Sequence, residues 1–166
     1  MKILHLIRHA KAEVSSNNSK DFYRALATSG MIDAARMARN LAESGVKIDA
    51  IISSPAERTT RTAEIFADQL KFDSEKVIYK DDLYDGRLQE YLKSINEIEP
   101  VNNEVILVGH NPNISYIAEY LSGADIGDVP TSGIVSIKFE NLKWAEISKK
   151  SGVLMNYVSP NQTFGF

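Results

Sequence analysis

The feature of this chain that most constrains its fold is an alternation of two periodicities. Short apolar, β-branched runs bounded by turn residues occur at 2–7 (KILHLI), 48–53 (IDAIIS), 76–79 (KVIY), 104–109 (EVILVG) and 133–139 (GIVSIKF). Between them the spacing turns helical. Met31, Ala34, Ala35, Ala38, Leu41 and Ala42 share one face after Gly30 and end at Gly45, and Ala63, Phe66, Ala67 and Leu70 share another. Leu88, Leu92 and Ile95 form a third, and Ile114, Ile117, Ala118 and Leu121 form a fourth before Gly123. With WAEI (144–147) read as a hairpin partner through Asn141, the order is β, α, β, α, β, α, β, α, β, β. Such an order predicts an α/β chain: a three-layer α/β/α sandwich with a mainly parallel sheet and a late antiparallel edge.

The 166 residues fit a single domain spanning 1–166. A formal net charge of −3, from 19 basic and 22 acidic groups, gives no electrostatic case for nucleic acid or a membrane surface as partner. The chain has no cysteine, which excludes disulfides, thiolate catalysis and thiolate metal sites. The stretch Ile3 to Ile7 is interrupted by His5 and stopped by Arg8, too short for a signal-peptide core or a membrane span, so a cytoplasmic protein is expected. SSNNSKD at 15–21 is the most loop-like segment, and no cofactor-binding motif is needed to explain any other.

In a parallel α/β sheet, ligands bind beyond the carboxyl ends of the strands. Arg8-His9 follows the first strand, Ser53-Ser54-Pro55-Ala56-Glu57-Arg58 the second, and Gly109-His110-Asn111-Pro112 the run at 104–109. Ser54 with Glu57 three residues on reads as a capping box, and Asn111 before Pro112 as an N-cap. Both helix starts would present free N–H groups. Parallel strands would bring Arg8, His9, Arg58 and His110 to one edge, an environment suited to a phosphoryl group. A neutral imidazole there can attack phosphorus, and neighbouring guanidinium charge opposes its protonation. Spacing alone leaves open whether His9 or His110 attacks.

Other polar residues have simpler readings. His5 shares a strand face with Ile3 and Ile7 and reads as structural; three histidines so placed do not imply a metal site. Arg61 reads as solvated, Asn111 as a cap, and Arg24 as a local ion-pair partner or a substrate contact. Asp85 in LYDGR fits a turn. Met37, Tyr91 and Tyr120 fit packing.

Leu-Ile-Arg-His-Ala at 6–10, Ser-Ser-Pro-Ala-x-Arg-x-x-x-Thr-Ala at 53–63 and Val-Gly-His-Asn-Pro at 108–112 resemble the histidine phosphatase superfamily, the phosphoglycerate mutase-like fold. The segment 23–30 (YRALATSG), Leu83-Tyr84-Asp85 and a late Thr131-Ser132-Gly133 strand resemble its short branch, the SixA-type phosphohistidine phosphatases. The resemblance implies that His9 is the phosphate-accepting nucleophile, that Arg8 and Arg58 bind the phosphoryl oxygens, and that His110 stabilises the transferring group. Ala10 stands where many members have glycine. Larger members carry a glutamic acid donor in the middle region, where this chain offers Asp85 as a candidate proton donor with a shorter reach. An alkoxide leaving group benefits from a positioned acid by about 10²- to 10⁴-fold, whereas imidazole, with a pKa near about 6.5, can leave already protonated. The implied function is a metal-independent phosphatase acting through a phosphohistidine intermediate on a phosphohistidine-bearing protein. Small phosphoesters are the alternative substrates, and a non-catalytic phosphate-binding module is the alternative of another class.

Overall fold

The structure is a computed structural model in which residues 1–14 and 20–161 are described. The loop-like stretch read at 15–21 therefore lies, for 15–19, outside the described residues. In chain order the elements are β1 (Lys2–Arg8), α1 (Thr28–Glu43), β2 (Ala50–Ser53), α2 (Glu57–Leu70), β3 (Ile78–Tyr79), α3 (Asp82–Asp85), α4 (Leu88–Asn96), β4 (Glu104–Gly109), α5 (Asn113–Ser122), β5 (Ile134–Phe139) and β6 (Val153–Val158). Short 3₁₀ turns lie at Asp21–Tyr23, Ser74–Lys76 and Trp144–Glu146.

The strands form one sheet in the order β3-β2-β4-β1-β5-β6. The first four are mutually parallel, and β5 and β6 continue antiparallel, as the alternation requires. One face, carrying Leu4, Leu6, Val105 and Leu107, is covered by α4 and α5 through Tyr91, Ile95, Ile114 and Leu121. The other, carrying Ile7, Ile51, Ile106 and Val108, is covered by α1 and α2 through Met37, Leu41, Ala63 and Phe66. Each large side chain buried in this way contributes about 1.5–3 kcal/mol, and the two helical layers fix where the ends of β1, β2 and β4 lie. Among the described residues no helix is long and apolar enough to cross a membrane.

Several boundaries differ from the sequence reading, among them the strands read at 48–53 and 76–79, which shorten to Ala50–Ser53 and Ile78–Tyr79. The first helix begins at Thr28, so Gly30 lies inside it, held against the Lys11 backbone, where a Cβ would overlap the Lys11 carbonyl oxygen. The segment WAEI is not a strand. Trp144 is buried against Phe139 in a 3₁₀ turn and its indole N–H donates to Asn102 O at 2.7 Å. The hairpin partner of β5 is β6, an edge strand whose Val153 and Met155 are exposed, so its apolar pattern is too open to stand out as a buried run. Thr131-Ser132 forms a turn rather than strand, and β5 starts at Ile134.

His5 is buried in β1. It bonds Ser136 Oγ at 2.6 Å and Glu104 Oε2 at 2.7 Å, a polar bridge across β5, β1 and the start of β4.

Candidate active site

The carboxyl ends of β1, β2 and β4 meet through backbone hydrogen bonds. His9 N–H donates to Gly109 O at 3.1 Å, Ser54 N–H to Val108 O at 3.1 Å, and Ser132 N–H to Arg8 O and His9 O at 3.1 and 3.2 Å. Ala10 N–H donates to Thr62 Oγ1 at 3.0 Å, which ties the residue after the histidine to α2. The predicted His9, His110 and Arg58 are all buried here, and the two imidazole centroids lie 5.3 Å apart.

Hydrogen bonding sets the proton position on the His9 ring and gives the His110 ring a hydroxyl partner. His9 Nδ1 is 2.7 Å from Ala10 O, and a carbonyl can only accept, so Nδ1 carries the proton and Nε2 presents a lone pair. His110 Nε2 is 2.8 Å from Ser54 Oγ. That oxygen accepts from Ala56 N–H at 3.3 Å and has its own proton to give to the ring. In that arrangement His110 carries its proton on Nδ1, which is buried without a partner.

The capping reading of Ser54 is therefore corrected. Helix α2 starts at Glu57 with Ala56 flanking it, and Ser54 serves the histidine instead. Likewise α5 starts at Asn113 rather than Pro112, although Asn111 Oδ1 still accepts from Ser115 N–H at 3.2 Å and Ser115 Oγ at 2.9 Å.

Around the rings lie cations with unmet donors. Arg8 donates through Nη1 to Val129 O at 3.0 Å; Arg58 donates through Nη1 to Asp21 O at 2.9 Å and through Nη2 to Asp21 Oδ2 at 3.0 Å. Arg24 pairs with Asp21 at 3.4 Å. Yet the Nε atoms of Arg8, Arg24 and Arg58 are buried with no partner among the described residues. Buried N–H groups are seldom left unpaired, and guanidinium N–H groups are strong donors to oxyanions.

Burial, reinforced by Arg58, Arg8 and Arg24, lowers the His9 pKa to about 4, despite the opposing bond to Ala10 O. Burial first, then His9, Arg58 and Arg24, lowers that of His110 to about 3. Both rings are neutral at pH 7. At Asp21, partial desolvation is outweighed by hydrogen bonds from Tyr84 and Arg58, which hold the carboxylate below its usual range.

A stability prediction follows. An unfolded histidine takes up its proton near pH 6.5, and these two resist it until much lower, so their contribution is complete above about pH 6.5 and is lost as pH falls. Each adds a slope of up to about 1.4 kcal/mol per pH unit in that window. Thermal unfolding should show a lower Tm at pH 5 than at pH 7, with the difference shrinking in a His9→Ala, His110→Ala double variant. An undiminished difference would assign the acid sensitivity elsewhere.

Sequence reading missed three contributors. Tyr91, read as packing, accepts from His110 N–H at 3.1 Å and donates to Leu83 O at 2.7 Å. Its approach requires Gly109, where a Cβ would stand 2.7 Å from the Tyr91 hydroxyl. Asp21 and Tyr84 join the site through a 2.8 Å hydrogen bond from Tyr84 Oη to Asp21 Oδ2. Glycine next to a site histidine was the available signal for Tyr91; Asp21 lies too far along the chain from Arg58 to have left one. Asp85 is exposed and lines an open cleft of about 540 Å³ with Tyr84, His110 and Tyr116. A separate groove of about 620 Å³, lined by Met31, Arg61, Glu64 and Asp68, contains no histidine. Among the described residues no three metal-ligating side chains are grouped for an ion.

A neutral imidazole with a free lone pair, held beside unpaired cationic donors at the carboxyl edge of an α/β sheet, is an arrangement suited to phosphoryl chemistry. The chain belongs to the histidine phosphatase superfamily, branch 1, whose family pattern matches residues 4–91. It is 30% identical over 157 residues to an uncharacterized chloroplastic protein of Arabidopsis thaliana, covering 90% of this chain and 72% of that one. Among solved structures it is similar to a candidate phosphohistidine phosphatase, SixA, from Agrobacterium tumefaciens, with a TM-score of 0.82, 27% identity, and coverage of 96% of this chain and 98% of that one. It also shares the fold of a protein histidine phosphatase SixA complexed with tungstate, with a TM-score of 0.80, 22% identity, and coverage of 95% and 97%. These findings agree with the SixA-type, phosphoglycerate mutase-like α/β fold read from the sequence.

Proposed function

We propose that this protein removes phosphoryl groups from phosphohistidine on a partner protein, without a metal ion, through a phosphoenzyme formed at His9. The observation that carries the reading is the His9 tautomer: the Ala10 carbonyl holds the proton on Nδ1, and Nε2 stays unprotonated among buried, unpartnered donors. In the first step His9 Nε2 bonds to phosphorus as the substrate P–N bond breaks, and the leaving ring, protonated from solvent on its other nitrogen before cleavage, departs as neutral imidazole. In the second, water attacks phosphorus, releasing inorganic phosphate and restoring His9. Arg8, Arg58 and His110 Nδ1–H neutralise the phosphoryl oxygens, and Arg24 adds to the cationic field, so charge stabilisation and in-line positioning supply most of the rate. The similarity to a candidate phosphohistidine phosphatase, and the tungstate held by another protein of this fold, a tetrahedral oxyanion like phosphate, support this reading.

The open cleft, lined by His110, Tyr84 and a Tyr116 that is 56% exposed, favours a side chain offered by a protein over an enclosed small molecule. The test is to supply a phosphohistidine-bearing carrier protein and a generic phosphate ester, with and without chelator. Faster release from the carrier, unchanged by chelation, is expected. Release from neither substrate overturns the enzyme reading, and loss on chelation overturns metal independence.

Asp85 is proposed as proton donor for ester leaving groups alone. Asp85→Asn should lower ester hydrolysis by about 10- to 100-fold while changing phosphohistidine turnover by less than about threefold. Equal losses on both substrates would contradict that division.

A further inference from the structure

Four aromatic rings continue outward from His9 in contact with one another. His9 packs against His110 at 5.3 Å, His110 against Tyr84 at 5.6 Å, Tyr84 against Phe22 at 5.1 Å and Phe22 against Tyr23 at 5.1 Å. Exposure rises along the series, from 7% at His9 and His110 through a part-buried Tyr84 to 64% at Tyr23. The series thus runs from the candidate nucleophile to the protein surface, and two of its members, His110 and Tyr84, line the open cleft beside the site. The Tyr84 ring is fixed at both ends of its contacts. Its hydroxyl donates to Asp21 Oδ2 at 2.8 Å, the same oxygen that accepts from Arg58, and its edge-on contact with Phe22 has an interplanar angle of 88°.

Resting on the reading that the substrate carries its phosphoryl group on an imidazole, we propose that Tyr84 is a specificity-determining residue whose ring binds the imidazole of the leaving group. Planar rings gain from contact with a positioned aromatic side chain, and a ring held in place before binding loses little freedom on making it. The anchoring through Asp21 couples this wall to Arg58, so the leaving ring and the phosphoryl oxygens are positioned from one network. A phosphoryl donor without a ring gains nothing from contact with the Tyr84 ring, although it still feels the hydroxyl's bond to Asp21.

The experiment compares phosphoimidazole with phosphoramidate, two P–N substrates that differ in having or lacking the ring, each as kcat/KM relative to the unaltered protein. Tyr84→Leu is expected to lower phosphoimidazole turnover about tenfold more than phosphoramidate turnover. Tyr84→Phe keeps the ring and loses the bond to Asp21, so it should affect both substrates alike and leave their ratio within about twofold. Equal losses in Tyr84→Leu, including complete loss of both, or no loss in either, overturn the assignment of Tyr84 while leaving phosphohistidine phosphatase activity standing. A changed ratio in Tyr84→Phe would place the effect on the hydroxyl and overturn the ring as its source. If the unaltered protein cleaves neither P–N substrate, the underlying reading fails and this assignment fails with it.

Discussion

His9→Ala is expected to abolish the phosphoenzyme and lower turnover by at least about 10⁴-fold, the scale on which removal of a covalent nucleophile acts. His110 cannot replace it. Its Nε2 is engaged with Ser54 at 2.8 Å, and with Ser54 donating, its Nδ1 holds a proton instead of a lone pair. The His9 ring also carries its proton on Nδ1, fixed by a carbonyl that can only accept, but there it is Nε2 that presents the lone pair to the site. Rapid quench with labelled substrate should trap a phosphoryl group that is acid-labile and alkali-stable, as a P–N bond is, and His9→Ala should trap none. A trapped phosphoryl group that persists in His9→Ala and disappears in His110→Ala would reverse the two roles. Because burial and the neighbouring arginines keep His9 neutral down to about pH 4, attack by His9 would need no general base at neutral pH.

The two strongest parts of this picture, the sheet and the cluster Arg8, His9, Arg58 and His110, were legible in the sequence for a common reason. Parallel strands read as continuous apolar runs, and the polar residues that interrupt them at their carboxyl ends are then few and conspicuous. The helix boundaries at Ser54 and Asn111 were less legible, since both side chains resemble caps and the structure gives one of them to His110 and the other to Ser115. The least legible residues were Asp21 and Tyr84. Asp21 meets Arg58 across 37 positions of chain and Tyr84 across 63, and neither spacing follows any local periodicity. Such contacts are set by how the 3₁₀ turn at Asp21–Tyr23 packs against α2, a tertiary outcome without a sequence signature. Tyr91 falls between these cases: its helical spacing announced burial, but its hydroxyl's bond to the His110 backbone depends on the missing side chain at Gly109.

The network around Arg58 makes the second large effect more than the loss of one cation. Removing a positioned donor to a transferring group costs about 10²- to 10³-fold in rate. Here Arg58→Ala also uncovers the Asp21 carboxylate, which accepts one hydrogen bond from the guanidinium while the Asp21 main-chain oxygen accepts another, and which the fold holds below the usual carboxylate range. The uncovered charge would face the phosphoryl dianion, so Arg58→Ala should fall at or beyond the upper end of that range, near about 10³-fold. The two contributions separate in a double-mutant cycle. Asp21→Asn alone removes the charge that orients Arg58 and should cost less than Arg58→Ala, whereas Asp21→Asn added to Arg58→Ala should recover about tenfold of the loss by removing the repulsion. Arg58→Lys, which restores charge without the planar fork, should recover only part of it. Inhibition by tungstate, an oxyanion with no leaving group, reports the same cycle at equilibrium and should weaken in the same order. Simple additivity of Asp21→Asn and Arg58→Ala in both readouts would mean that Asp21 and Arg58 act on the phosphoryl site independently, and would return Arg58 to the ordinary cost of a single lost donor.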